Sequence, residues 1–229
     1  MRLAVATNRA QTDPTPALRG AIAAPKTTHR AAITDRDGAG RLIVAVNAYD
    51  RPVVRLAMLV MAYCFPRPGE CRLAHWEEID FEEGIWTIPA ARTKMRREHK
   101  IPLSSQALAA FRELHGLTGL PGGLCFPGQT AAGRPISENT VCAALRTLGF
   151  RKEEMSAHGF RALASSLLHE RSDFSSGTIE RALGHQDANA VRRAYARGEH
   201  WDDRVLLMQW WADYLDGLRE RAIAKAKAL

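Results

Sequence analysis

One set of polar side chains, spread along this sequence, has the composition needed for chemistry on a phosphodiester. His158 and Arg161 lie three residues apart at the start of the amphipathic segment "EEMSAHGFRALASSLLHE" (153–170), a spacing that presents both to one face of a helix. The other members of the set are Arg67, Lys94, His185 and Tyr195. Taken singly, each has an ordinary explanation as an ion-pair partner, a solvated loop residue, a helix cap or a core-edge aromatic. Taken together, they form a chemical set.

The chemistry available to this set is transesterification at phosphorus. Two arginines can neutralise the non-bridging oxygens of a pentacoordinate phosphodiester, and a tyrosine phenol can attack the phosphorus atom. Because the free phenol has a pKa of about 10, it needs nearby positive charge and a base. Histidine transfers protons near neutral pH, and lysine can protonate the departing sugar oxygen. The sequence lacks clustered carboxylates of the kind that hold paired Mg²⁺ ions, so we expect neither a metal nor a cofactor.

Composition favours an anionic partner such as nucleic acid. Lys and Arg number 32 against 25 acidic residues, which gives a net charge of +7, although many basic proteins bind no DNA. The four cysteines are scattered without a CxxC pair, so neither a zinc site nor a disulfide framework is indicated. The longest apolar run, "VVRLAMLVMAYCF", is too short to span a bilayer and contains Arg55. We therefore expect a cytoplasmic protein with no membrane anchor.

The elements that must position these residues are mainly helical. The stretch "LIVAVNAYDRPVVRLAMLVMAYCF" predicts two helices, the second apolar nearly all round and central to the core. The short runs "GIWTIPA" and "HKIPL", joined by the basic "ARTKMRRE", predict a hairpin that "EEIDF" could extend to three strands. Further helices are predicted at "SSQALAAFRELHGL", "SENTVCAALRTLGF", 153–170, "SGTIERALGHQ" and "DDRVLLMQWWADYLDGLRERAIAKAKA".

Local signals refine the ends of these elements. Pro68 suits a first helical turn, and Gly184 suits the end of a helix. Pro66 should push Phe65 toward extended backbone geometry. The predicted N-caps are Ser104, Ser137 and either Ser175 or Ser176.

Five motifs, in a fixed order, resemble the catalytic domain of the tyrosine recombinases. They are "RPGE" (67–70), "RTKMRREHKIPL" (92–103), "HGFR" (158–161), "LGH" (183–185) and "RAYARGEH" (193–200). The resemblance is closest to integrases of bacteriophages and genomic islands. It implies a mainly α domain with a small antiparallel β-sheet that cuts and rejoins DNA through a 3′-phosphotyrosyl intermediate, without a metal. The implied role is site-specific recombination during integration or excision of a phage or genomic island.

The resemblance also implies a role for each residue of the set. Arg67 and Arg161 would hold the phosphate, and Tyr195 would be the nucleophile. His158 would serve as acid and base beside the nucleophile, and His185 would donate a further hydrogen bond to the phosphate.

Two assignments depend on their neighbours. Lys94 would be the general acid for the 5′-hydroxyl leaving group, with Lys100, Arg96 and Arg97 as competitors for that role. Glu70 matches the acidic residue of the family that orients the arginine or histidine neighbours.

Integrases of this kind carry DNA-binding domains ahead of the catalytic one, so the resemblance also bears on domain organisation. Residues 1–40 are predicted to be a linker or the tail of a missing core-binding domain, and residues 41–229 the catalytic domain with its C-terminal helix. Such a fragment or truncated form should bind DNA weakly on its own. The implied partners are double-stranded DNA, other recombinase protomers in a synaptic tetramer and accessory DNA-bending proteins, in the bacterial cytoplasm near the nucleoid.

Three questions stay open at this level. A type IB topoisomerase-like nicking and closing activity would use the same active-site residues, and a remnant that binds DNA without catalysis would keep the same motifs. The apolar stripe of the last helix could pack on its own domain or dock on a neighbouring protomer. That stripe consists of Leu207, Trp211, Leu215 and Leu218.

Overall fold

The computed structural model describes residues 2–18, 31–128, 133–185 and 200–228, and within these ranges the chain is mainly helical. The helices are α1 (Arg2–Ala6), α2 (Arg36–Asn47), α3 (Pro52–Cys64), α4 (Pro68–Arg72), α5 (Ser105–Thr118), α6 (Thr140–Thr147), α7 (Gly159–Arg171), α8 (Ser176–Ala182) and α9 (Trp201–Lys227). The strands are β1 (Ile79–Asp80), β2 (Ile85–Ile88) and β3 (His99–Pro102). The predicted fold class, mainly α with a small β-sheet, is confirmed.

The three strands form one antiparallel sheet in the order β1-β2-β3. Ile79 pairs with Trp86, and Ile88 pairs with His99. The predicted hairpin and its third strand are therefore both present. The indole of Trp86 is fully buried, contacts the ring of Phe111 on α5 at 5.6 Å between centroids and donates a hydrogen bond to Glu78 at 3.2 Å. This aromatic contact fixes the sheet against the helical core.

Helix α3 lies at the centre of the core, as its apolar sequence predicted. Its side chains from Leu56 to Cys64 are all buried, and it packs against α2, α5, α6, α7 and α9. A helix that is apolar on every side is stable only where other elements cover every side. The end of this helix, at residues 64 and 65, leads directly into the first of the candidate site residues.

Helix α9 packs on its own domain. The four residues of its apolar stripe are at most 4% exposed, and the helix lies mainly along α2. The indole nitrogen of Trp211 donates to the carbonyl of Ala62 on α3 at 2.8 Å. On the facing side, Gly40 of α2 comes so close that an added Cβ would lie 2.5 Å from the carbonyl oxygen of Leu218. Of the two alternatives for this stripe, the chain adopts the intramolecular one.

The predicted N-caps are correct at two of three positions. Ser104 accepts from the amide of Ala107, and Ser175 accepts from the amide of Thr178. Ser137 is not a cap, because α6 begins two residues later than expected, with Asn139 in the cap position. The Ser137 hydroxyl instead makes a hydrogen bond to the hydroxyl of Thr140 at 2.9 Å.

The expected extended geometry at Phe65 is wrong. Phe65 has φ 39° and ψ 42°, which is the left-handed conformation, and it caps the C-terminus of α3 by donating its amide to the carbonyl of Met61. The local preference imposed by Pro66 is overridden by tertiary packing. The ring of Phe65 is buried in an edge-to-face contact with Trp211 at 6.5 Å, and its carbonyl is aimed at α7.

Among the described residues, none of the helices is both long and apolar enough to cross a membrane. The domain boundary expected near residue 40 stays a prediction, although α2 starts before it at Arg36 and is part of the packed domain.

Candidate active site

Arg67 is held in place by the start of a short helix. It occupies the N-cap position of α4, and Pro68 provides the first helical residue. Glu70, only 3% exposed, accepts from the Arg67 backbone amide at 2.9 Å and from the Arg67 guanidinium at 2.8 Å. Since a buried carboxylate needs such partners, Glu70 and Arg67 fix each other. This geometry agrees with the orienting role expected for Glu70.

Arg161 lies on the first turn of α7, and its side chain reaches the turn that follows α8. Its guanidinium donates to the carbonyl of Phe65 at 3.0 Å and to the carbonyl of Leu183. Arg67 donates, over a longer 3.5 Å, to the next carbonyl, that of Gly184. The C-terminal end of α8, whose last carbonyls carry partial negative charge, thus brings the two predicted arginines together.

The two guanidiniums repel each other. Burial, and then the charge of Arg67, lower the pKa of Arg161 to about 10. Arg161 therefore stays protonated at neutral pH, and the site holds two like charges close together in a partly buried setting. An anion bound between them would relieve that repulsion.

His185 follows the end of α8 directly. Gly184 turns the chain there with φ +61°, a conformation that favours glycine, as its C-terminal position predicted. The His185 ring is hydrogen-bonded to the carboxylate of Glu180 at 2.7 Å. Arg67 and His185 both line an open cleft of about 240 Å³. Its other lining residues are Thr93, Met95, Arg97, Glu98, His99, Arg181, Gly184 and Arg204.

His158 lies at the N-cap of α7, because the helix begins at Gly159 and not at Glu153 as the sequence pattern suggested. Its backbone nevertheless has helical angles, φ −71° and ψ −19°, so its spacing from Arg161 remains nearly that of a helical turn. The side chain is half-buried and lines a second cavity beside Pro68 of α4. His158 therefore flanks the helix that Arg67 starts.

Lys94 lies in the loop between β2 and β3, and its side chain is exposed. The neck of this loop is closed by Thr93, whose hydroxyl donates to the carbonyl of Arg97 at 2.6 Å and accepts from its amide at 3.0 Å. Met95 and Arg97 of the loop line the cleft. The loop is thus placed at the site, while its lysine projects into solvent.

Arg92 anchors the first end of this loop. Its guanidinium donates to the backbone carbonyls of Leu73 and Glu70 and forms an ion pair with the buried carboxylate of Glu78. The loop is consequently tied to α4, the helix that carries Arg67 at its N-terminus. Sequence reasoning missed Arg92, because in the sequence it is one of several basic residues in a basic stretch.

His99 and Arg204 were also missed. His99, the first residue of β3, packs over Gly184, and its ring hydrogen-bonds to the carbonyl of Ala182. Arg204 of α9 is 5% exposed and donates to the backbone carbonyl of Lys100. Burial, followed by the charges of Arg204, Arg161 and Arg67, lowers the pKa of His99 to about 3. Both residues contact distant parts of the chain, and no local pattern in the sequence predicts those contacts.

Tyr195, the predicted nucleophile, falls within residues 186–199, outside the described part of the chain. Of the predicted set, the structure therefore brings together Arg67, Arg161, Glu70 and His185, with His158 alongside and Lys94 on a neighbouring loop.

Comparison with known proteins shows which family this fold and sequence belong to. Residues 34–200 match the Phage integrase family. The chain belongs to the phage integrase family. This confirms the predicted tyrosine recombinase resemblance, and the matched region contains every residue of the predicted catalytic set.

Two curated relatives of this integrase domain extend over nearly all of its length. The chain is 39% identical to the putative protein IntB of Escherichia coli K12 and 38% identical to the integrase of Enterobacteria phage P4, in each case over 98% of its own length. It covers only 60% and 54% of those two proteins. The chain thus spans little more than half the length of these relatives.

Solved structures share the fold at low sequence identity. An integrase from mycobacterium phage Brujita superposes with a TM-score of 0.58 at 17% identity, over 93% of this chain and 67% of that one. A lambda integrase dimer bound to a COC′ core site gives a TM-score of 0.57 at 20% identity, over 86% and 57%. The integrase fold is therefore common to all three.

Proposed function

We propose that this chain is the catalytic part of a site-specific recombinase that cuts and rejoins DNA during integration or excision of a phage or genomic island. The observation that carries the proposal is the meeting of Arg67 and Arg161 at the C-terminal end of α8, next to His185. Two permanently charged planar donors at one point suit a phosphodiester whose two non-bridging oxygens must be neutralised.

In the cutting step, the Tyr195 phenolate oxygen attacks phosphorus, a new tyrosine-oxygen–phosphorus bond forms, and the bond from phosphorus to the 5′-oxygen breaks. His158 accepts the phenol proton, and Lys94 gives a proton to the departing 5′-oxygen. The phosphoryl group stays on the protein as a 3′-phosphotyrosyl ester. Attack by another 5′-hydroxyl reverses these steps and joins the strands.

The remaining residues support the phosphorus centre. Arg67, Arg161 and His185 donate hydrogen bonds to the non-bridging oxygens, whose charge increases in the transition state. Glu70 holds Arg67 in the required orientation through its two hydrogen bonds. Because the arginines supply the positive charge, the proposed reaction needs no metal ion.

The proposed partners are double-stranded DNA and other protomers of the same recombinase. Solved relatives include a lambda integrase tetramer bound to a Holliday junction and a XerH site-specific recombinase bound to its difH substrate. We extend that mode of assembly to this chain as a synaptic tetramer, together with accessory DNA-bending proteins and a location at the nucleoid. Since the stripe of α9 is buried within the domain, protomers would have to meet through other surfaces.

The decisive experiment is trapping of the covalent intermediate by the intact protein on a nicked duplex that contains its core site. The short strand with the 5′-hydroxyl diffuses away, so the adduct accumulates. Tyr195→Phe should abolish the adduct and leave DNA binding unchanged, and the wild-type adduct should persist in EDTA. Arg67→Ala and Arg161→Ala should each slow cleavage by about 10²–10³-fold, as when one preorganised transition-state donor is lost.

Three outcomes separate this function from its alternatives. Cleavage by an intact protein that carries phenylalanine at 195 would show that the nucleophile is wrong. Relaxation of supercoiled DNA without strand exchange between two sites would favour the topoisomerase-like activity. If the intact wild-type protein binds DNA but never forms an adduct, the result would indicate a remnant that binds DNA without catalysis.

A further inference from the structure

The last turn of α8 is held by three different elements through three consecutive carbonyls. Ala182 accepts from His99 of β3, and Leu183 and Gly184 accept from the two arginines of the candidate site. Ala182 is the last residue of α8, Leu183 is its C-cap and Gly184 follows in the turn, so none of the three carbonyls has a partner within the helix. The position of this turn and the positions of the two guanidiniums therefore depend on one another.

The imidazole of His99 fills the space above Gly184. A Cβ added to Gly184 would lie 3.2 Å from both Cε1 and Nε2 of the ring, which is tighter than ordinary contact. The ring therefore fits against a glycine that already has the left-handed conformation at φ +61°. His99 acts as a wall that limits how far the α8 turn can move away from the arginines.

His99 is also the uncharged member of the three donors. The charges of Arg204, Arg161 and Arg67 act on the ring, and with burial they hold its pKa near 3, so it is neutral at physiological pH. A neutral ring donates one hydrogen bond without adding a third positive charge beside the two arginines. That combination keeps the site attractive to an anion and keeps the turn in place.

We propose that His99 is a positioning residue for the arginine pair: its ring, packed on Gly184, holds the 182–184 turn so that Leu183 and Gly184 aim Arg161 and Arg67 at one phosphate. This role rests on the proposed function, since the phosphate is the scissile one. His99 itself does not touch the reacting atoms. It acts indirectly, through the backbone at the end of α8, whereas Glu70 acts directly on Arg67.

Two substitutions distinguish the effect of the His99 hydrogen bond from the effect of its side-chain bulk. His99→Leu keeps bulk and removes the donor, whereas His99→Gln keeps a neutral N–H donor and should restore most of the wild-type behaviour. His75→Leu is the matched control, because the His75 ring makes the same kind of contact, with the carbonyl of Gly122 at 3.3 Å, away from the site.

The first measurement needs no DNA and uses the guanidinium Nε–Hε NMR resonances of Arg67 and Arg161. We expect them to shift in His99→Leu, to return toward wild type in His99→Gln and to stay in place in His75→Leu. The His99 ring in the wild-type chain should remain neutral at pH 5. A ring that titrates with an ordinary pKa near 6.5, or arginine resonances unmoved in a folded His99→Leu, would overturn the proposal.

The second measurement is the cleavage rate of the intact protein on the nicked core-site duplex at saturating DNA. His99→Leu should lower the rate by about 10²-fold, as a small misplacement of catalytic groups does, while DNA affinity and thermal melting change little. His99→Gln should recover most of the rate. An unchanged rate in His99→Leu would overturn the positioning role while leaving the proposed function intact.

The two measurements keep the two proposals apart. Failure of the wild-type protein to form an adduct counts against the recombinase function alone, because the NMR comparison still decides whether His99 positions the arginines. If His99→Leu does not fold, the wild-type titration and the His99→Gln rate decide the question: an ordinary titration, or a glutamine rate reduced about 10²-fold, would overturn the proposal.

Discussion

Phe65 connects the core to the candidate site in a single residue. A left-handed backbone costs a non-glycine residue about 1–2 kcal/mol, and here φ is 39°. The cost is offset by burial of the ring beside Trp211 and by the hydrogen bond that its carbonyl accepts from Arg161. The conformation of Phe65 thus sets both the end of α3 and the position of Arg161.

At the same scale, we expect His99 to make stability depend on pH. Its pKa is lowered to about 3 in the folded chain, against an ordinary value near 6.5 when unfolded. The unfolded state therefore binds more protons below pH 6.5, and stability is lost as the pH falls from 6.5 toward 3. The contribution of this one residue should be about 2 kcal/mol between pH 7 and pH 5.

Urea unfolding of wild type and His99→Gln at several pH values measures this contribution. The difference in unfolding free energy between the two proteins should narrow by that amount as the pH is lowered from 7 to 5, since other histidines contribute equally to both. Parallel pH profiles for the two proteins would contradict the prediction.

The individual site residues differ in how visible they are in the sequence. Arg67, Arg161 and His185 stand in short motifs that keep their order along the chain, so they could be predicted. Arg92 and His99 also stand in a motif, but their roles could not be predicted, and neither could that of Arg204, because each acts through backbone carbonyls of a distant element. A single sequence gives the type of each residue but does not show which backbone carbonyl its side chain will contact in the fold.

At the scale of elements, the β2–β3 loop is tied down at both ends. Arg92 joins its start to α4, and His99 joins its end to α8. Between them, Thr93 closes the neck by its two hydrogen bonds to Arg97. The loop that carries Lys94 is thereby held between the two elements that present Arg67 and His185, which would restrict where a lysine ammonium can reach.

We expect the packing of α9 to be a major source of stability. Trp211 is fully buried and hydrogen-bonded to Ala62, so Trp211→Ala should lower the free energy of unfolding by about 3–5 kcal/mol. Trp210 is only partly buried, stacked on Tyr214 at 5.0 Å, and makes the matched comparison. Chemical denaturation of both variants measures the difference.

The result expected is a clearly smaller loss for Trp210→Ala than for Trp211→Ala. Truncation after Gly198, which removes the helix entirely, should lower the melting temperature of the monomer sharply. Unchanged melting together with loss of assembly would indicate that the helix serves a neighbouring protomer instead.

Most helices and all three strands could be predicted, because hydrophobic periodicity and turn residues are local signals. The errors lie where packing overrides local preference: Phe65 is left-handed before a proline, Ser137 yields the cap to Asn139, and α7 starts at Gly159. The sequence also could not decide which surface the apolar stripe of α9 packs against, since an apolar face does not specify what will cover it.

For the whole molecule, the net charge of +7 predicts salt-sensitive binding to DNA. The isolated chain should bind random-sequence duplex weakly, and its affinity should fall by about 10–10²-fold between ~50 mM and ~200 mM salt as counterions are released from a few phosphates. Gel-shift titrations across salt concentrations measure the slope. Tight, sequence-selective binding that barely responds to salt would contradict this expectation.

Two variants refine that measurement. Arg97→Ala removes a cation that lines the cleft and should reduce the salt slope by about one unit. Lys225→Ala removes a cation that is paired with Asp37 at 2.9 Å on the α2–α9 surface, and it should leave the slope unchanged.

The carbonyls at the end of α8 also affect which anions can bind to the arginine pair. Leu183 and Gly184 accept hydrogen bonds from Arg161 and Arg67. These carbonyls belong to the same domain as the arginines, so they compete for the guanidinium N–H groups at a high effective concentration. A free inorganic phosphate must displace them from bulk solution, where its concentration is much lower. A DNA strand brings many phosphates at once and gains from counterion release along its length. If the proposed function is correct, we expect the pair to bind polymeric phosphodiesters in preference to small anions.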